Sequence, residues 1–120
     1  MATIRSYTTI EQSRKLAEIL SLESADMYWF RDDTETPKIY PKNMMKDSVS
    51  VTLPCWSLAA LLGVLPTKSQ IVLAINDFQG DRKEKYVIGS VEHDNYDCYA
   101  DNPVDACYEM ILKLSELNLL

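Results

Sequence analysis

Asp101-Asn102-Pro103-Val104-Asp105-Ala106-Cys107-Tyr108-Glu109-Met110-Ile111-Leu112-Lys113-Leu114 decides how this chain must pack. Asn102 stands where a helix N-cap belongs, and Pro103 at the first helical position, where a missing N–H costs nothing. Asp105 follows at the third, where the helix dipole favours an acid. Turning by about 100° per residue, Val104, Cys107, Tyr108, Met110, Ile111, Leu112 and Leu114 share one broad face. Asp105, Glu109, Lys113 and Glu116 share the other, with Glu109 and Lys113 in the favoured i,i+4 order. So wide an apolar face needs a sheet or two helices to cover it. The core is expected against this helix.

Working back from it, Tyr96 to Tyr99 reads as a short strand and Tyr86 to Val91 as a longer one. Ile71 to Asn76 is a continuous β-branched apolar run, expected as a central strand, and Gly80-Asp81 supplies a turn that makes the pair a hairpin. Pro54 to Pro66 is a distinct unit, with Ser57 as N-cap for about two apolar turns from Leu58 to Leu65. An all-round apolar helix is buried or lies under a partner, and Gly63 within it suggests close backbone packing. Ser48 to Leu53 alternates and reads as extended. Arg31 to Asp47, with Pro37 and Pro41, reads as a long loop or irregular excursion. Ala25 to Phe30 reads as a strand. A first helix carries Ile10, Ser13, Leu16, Ala17 and Leu20 on one face; Thr8 with Glu11, or Thr9 with Gln12, closes its capping box.

The resulting order, α-β-β-α-β-β-β-α, implies an α+β fold: a small antiparallel sheet of about three to five strands carrying two or three helices. The 120 residues fit one globular domain, 1–120, with an average apolar and charged content. No apolar run approaches the roughly 18 residues that cross a bilayer. Residues 1–20 are broken by charges, unlike a signal peptide. Three cysteines, an odd number, favour free thiols and a cytoplasmic location.

The net charge of −6 is unevenly placed. Six of the eighteen acids and none of the twelve Lys and Arg residues lie between Tyr86 and Leu112, so the rest of the chain is formally neutral. That field opposes direct binding to nucleic-acid phosphates.

Two segments carry a resemblance. P-x-W-S-L-x-x-L-L-x-x-L-P (Pro54, Trp56, Ser57, Leu58, Leu61, Leu62, Leu65, Pro66) and the closing D-N-P-V-D-A helix resemble a group of small uncharacterised proteins from gut bacteria and their phages or integrated elements. The likeness is best over 52–120 and looser over 10–30. It implies a small accessory protein of a bacterial or mobile-element genome, and brings no known function, ligand or site residue.

Site chemistry is sparse. His93 is the only histidine, and Cys55, Cys98 and Cys107 have no zinc-finger spacing. Cys55 and Cys107 read as small core residues. Asp94-Asn95-Tyr96-Asp97 is oxygen-rich but lacks the glycine and glutamate of a calcium loop, so it reads as a solvated turn. A Cys98 nucleophile with His93 as base would need the intervening turn to join them, among acids that do nothing to activate a thiol. Three glycines cannot build a phosphate loop. No catalytic residue, cofactor site or metal site is therefore assigned, and a non-enzyme is favoured.

The acidic stretch is the one surface with a partner's chemistry. Its acids alternate with tyrosines, and Glu92, Asp94, Tyr96, Asp97, Tyr99 and Asp101 are the candidate partner-binding residues. Tyrosine gives rigid contact area and the acids steer a basic protein. The competing reading is that the tyrosines are core and the acids maintain solubility. Two alternatives belong to other classes. One is a small-molecule-binding or enzymatic pocket formed by Trp56, Met44 and Met45 beside the 31–47 loop. The other is a homo-oligomer joined through the Leu58–Leu65 helix.

Overall fold

Three helices and two three-stranded antiparallel sheets form among the residues that the computed structural model describes: 5–31, 37–41, 52–66, 70–76, 81–91 and 96–120. Helix α1 (Ile10–Ala17) leads through a 3-10 turn (Leu22–Ser24) to β1 (Met27–Arg31), β2 (Pro37–Pro41) and β3 (Thr52–Cys55). Helix α2 (Leu58–Val64) then leads to β4 (Ile71–Ile75), β5 (Tyr86–Ser90), β6 (Cys98–Ala100) and the closing helix α3 (Pro103–Glu116). The strand orders are β2-β1-β3 and β4-β5-β6. The architecture is α+β.

Local signals place the helices. In α1 the Thr9–Gln12 capping box forms in both directions, with Gln12 N–H to Thr9 Oγ1 at 3.1 Å and Thr9 N–H to Gln12 Oε1 at 3.0 Å. Ser57 caps α2 by accepting from Ala60 N–H. Its own N–H and hydroxyl donate to Asp26, which fixes the helix start to the loop before β1. Asn102 caps α3 by accepting from Val104 N–H at 2.8 Å.

The core does form against α3. Its buried side chains are Pro103, Val104, Ala106, Cys107, Met110, Ile111 and Leu114, while Tyr108 and Leu112 sit half-buried at the margin. Leu16 of α1, Trp56, Leu61, Leu65 and Ile88 close over them. Each fully buried Leu, Ile or Met contributes on the order of 1.5–3 kcal/mol of transfer free energy. Cys55 and Cys107 are free, buried core residues, as expected from their apolar surroundings.

Four details differ from the sequence expectation. The strands form two sheets, and there is one strand more than expected. That strand, β2, lies inside the stretch read as a loop: its prolines hid it, yet proline is tolerated on an edge strand, and β2 is one. Second, β4 is not central but an edge, with Val72 and Ile75 more than half exposed. A continuous apolar run signalled burial on both faces, and the central strand is β5, whose Ile88 is fully buried. Third, α2 buries Leu61 and leaves Ala59, Leu62 and Gly63 exposed. Fourth, a Cβ on Gly63 would meet nothing within 4 Å, so no close packing explains that glycine.

Candidate functional site

Strand β6 and the two residues before it alternate between two sides, which divides the acidic stretch in two. Tyr96, Cys98 and Ala100 pack against the core, while Asp97 and Tyr99 turn to the other side. The β5–β6 register pairs Val87 with Tyr99 and Ile88 with Cys98, so the next position brings Asp97 opposite Gly89. The approach is so close that a Cβ at Gly89 would collide with the Asp97 carboxylate. Glycine is what lets that carboxylate lie across the strand.

Beside β6, an open groove of about 550 Å³ runs between the strand, the chain leading into α1 and the first turns of α3. Cys98 and Ala100 line it together with Tyr99, Asp97, Arg82, Glu109, Asp105, Gln12 and Arg5. Its two halves differ electrostatically. Arg5 pairs with Asp105 at 2.7 Å, and Gln12 Nε2 donates to the same Asp105 oxygen at 2.7 Å. That carboxylate is held by the fold. Arg82 binds Glu84 and lays its guanidinium 4.6 Å from the centre of the Tyr99 ring, a cation–π contact that favours this placement of the ring. Glu84's carboxyl is held below the usual range, first by its own backbone N–H and then by Arg82. Asp97 and Glu109 remain, and among the described residues neither has a cation at ion-pair distance.

The candidate residues are therefore distributed unevenly. Asp97 and Tyr99 come together in the groove. Tyr96 packs inward on the core with Lys113 near its ring face. Asp101 accepts from Lys85 N–H at 3.1 Å and fastens the end of β6 to the start of β5. Glu92 and Asp94 lie outside the described residues. Sequence reasoning counted Glu109 and Asp105 among the acids without placing them in the site. It missed Arg5, Gln12 and Arg82 altogether. The i,i+4 spacing of Asp105 and Glu109 could have joined those two, whereas nothing local predicts that Arg5 meets a residue one hundred positions away.

Nucleophilic chemistry finds no support at Cys98. Burial pushes its thiol up from the ordinary value, so at neutral pH it rests as the thiol, and the His93 expected as its base lies outside the described residues. Among the described residues no group of three or more His, Cys, Asp or Glu could hold a metal ion. No described helix is long and apolar enough to cross a membrane. Trp56, expected either in the core or on a pocket wall, is fully buried with its indole N–H donated to Ser24 Oγ at 2.9 Å. Met44 and Met45, the other side of that pocket, lie outside the described residues. Comparison with protein-family models, with curated proteins and with solved structures finds no match for this chain.

Proposed function

We propose that this chain is a small accessory protein that acts by binding, and that the groove beside β6 receives a basic segment of a partner protein. The observation that carries this is the placement of two carboxylates, Asp97 and Glu109, that have no cation at ion-pair distance among the described residues, beside the Tyr99 ring under the Arg82 guanidinium. Tyrosine has few rotatable bonds, so it gives contact area at small entropic cost, and the carboxylates draw Lys or Arg toward it. The charged lining suits a protein segment better than a small apolar ligand, whose pockets are mostly hydrophobic. Free cysteines suit a reducing compartment such as the cytoplasm. The accessory role agrees with the resemblance to small proteins of bacterial and mobile-element genomes.

The test is capture of tagged protein from nuclease-treated lysate, followed by affinity measurement on the purified partner as salt is raised. Asp97→Lys with Glu109→Lys should weaken binding at least about tenfold and flatten its salt dependence. Glu116→Lys, on the exposed end of α3 and outside the groove, should leave it nearly unchanged. An association indifferent to the paired reversal would overturn the proposal.

A further inference from the structure

The edges of the two sheets are not protected alike. Strand β2 begins and ends in proline, β3 contains Pro54, and β6 is three residues long between Asp97 and Asp101. Such devices keep edges from pairing with other chains. Strand β4, Ile71-Val72-Leu73-Ala74-Ile75, has none: five residues, no proline and no charge. Val72 is 51% and Ile75 67% exposed, and Ala74 is exposed as well.

The hydrogen bonds fix which backbone groups face outward. Asn76 N–H donates to Lys85 O and Val91 N–H to Gln70 O, in the same register that pairs Ile75 with Tyr86. Residues 70, 72, 74 and 76 thus turn their polar groups to β5, and Ile71, Leu73 and Ile75 turn theirs to the side where, among the described residues, no strand pairs with β4. We infer that β4 pairs antiparallel with β4 of a second copy, through a two-fold axis at Leu73.

The strand is its own complement in that register. Leu73 meets Leu73 of the second copy and Ile71 meets Ile75, so every outward N–H and C=O on the edge finds a partner. On the α3 side, where Ile71 and Leu73 already pack on the core, the exposed Ile75 gains Ile71 of the second copy as neighbour. On the other face the exposed Val72 comes beside Ala74. At the strand ends Gln70 faces Asn76, polar against polar. Charge selects the same occupant: an uncharged strand offers nothing to attract a charged partner, and it is an edge where two copies of a chain of net charge −6 can meet without carboxylates facing each other. Two five-residue strands bury less than the roughly 800 Å² per partner of a stable interface, so the dimer is a weak, concentration-dependent one. Added salt strengthens it by screening the like net charges, the opposite of the response expected for a basic partner in the groove.

Sedimentation velocity from micromolar to near-millimolar concentration, at low and high salt, tests the pairing. The mass should rise from 13.7 kDa toward twice that value, more readily in salt. Val72→Lys with Ile75→Lys places charge on two exposed positions; it should keep the unfolding transition and abolish the rise. Hydrogen exchange supplies a second reading in the unaltered protein. The amides of Ile71, Leu73 and Ile75 should gain protection with concentration, while those of Val72 and Ala74 stay protected throughout. A monomer across the whole range overturns the inference. So does an association that survives the lysines, or one that leaves the three outward amides unprotected.

Discussion

Gln12 and Ser13 are consecutive in α1, yet their side chains serve two polar clusters of opposite character. Ser13 joins a knot that is wholly out of water. Its hydroxyl lies 2.8 Å from Thr8 Oγ1, which also accepts from Trp56 N–H and touches the Cys55 thiol, and Thr8, Ser13, Cys55 and Trp56 are all 0% exposed. Thr8 N–H and carbonyl are used too, toward Trp56 O and the indole of Trp29. Gln12 joins Arg5 and Asp105 at the rim of the groove, where both charged side chains keep about a third of their surface in water. The comparison separates a cluster the fold seals from water from one it only ties together at the groove's edge, beside the Asp97 and Glu109 carboxylates. In the knot every polar group is taken up internally, because an unmet one would cost its full desolvation penalty. At the rim water can replace a lost bond, so breaking one there costs far less.

The largest expected effect concerns buried thiols. Burial pushes Cys107 up to about 12 from an ordinary 9.0, and raises Cys55 in the knot as well. A raised folded value means that the unfolded chain releases its proton first as pH rises. Stability from this source is complete below pH 9 and is lost between about pH 9 and 12. Between those limits the slope is about 1.4 kcal/mol per pH unit for Cys107. Tyr108, raised mainly by burial, acts in the same direction. Urea unfolding at successive alkaline steps should trace this decline, and Cys107→Ala should flatten it even though the variant starts from lower stability. Equal slopes in the two proteins would contradict it.

Next in size is the knot's own hydroxyl. Thr8→Val keeps the shape and removes the acceptor of Trp56 N–H, leaving that donor buried. Loss of about 1–3 kcal/mol is expected in the same unfolding measurement. Ser13→Ala, which removes one partner of a group that retains others, should cost less. If the two cost the same, Thr8 is not the centre of the knot.

Neither cluster was fully legible in the sequence, and the reason lies in contact range. The caps at Thr9, Ser57 and Asn102, the β4–β5 hairpin and the apolar face of α3 all depend on residues a few positions apart or on a simple period. All of them could be read, except that at α1 Thr8 with Glu11 fitted the pattern as well, and of the two boxes it is Thr9 with Gln12 that forms. Strand β2 was hidden by its prolines, and the edge position of β4 by the lack of any charge along it. Thr8 and Ser13 read as a helix start with a small residue on its inner face. Their junction with Cys55 and Trp56 spans more than forty residues. The sequence pointed to an acidic, tyrosine-bearing region, and Asp97 and Tyr99 do share the groove. It could not divide the acids that the fold engages from those it leaves to the groove, because Arg5, Gln12 and Lys85 reach Asp105 and Asp101 only through the fold.

The smallest effect is the sharpest test of the contrast. A double-mutant cycle of Arg5→Ala and Asp105→Ala removes a charge pair that the knot's logic would make costly to break, but at the rim it should not be. Exposed pairs couple by about 0.2–1 kcal/mol, and this one, one-third exposed and shared with Gln12, belongs near the upper end. Asp105 also stands in the first turn of α3, so its single substitution loses helix-dipole stabilisation that the cycle cancels. The coupling should fall as salt is raised, since water and ions reach both partners. A coupling of several kcal/mol, insensitive to salt, would mean that the rim is bound into the fold no less firmly than the knot, and that the groove is a structural seam instead of a surface held open for a partner.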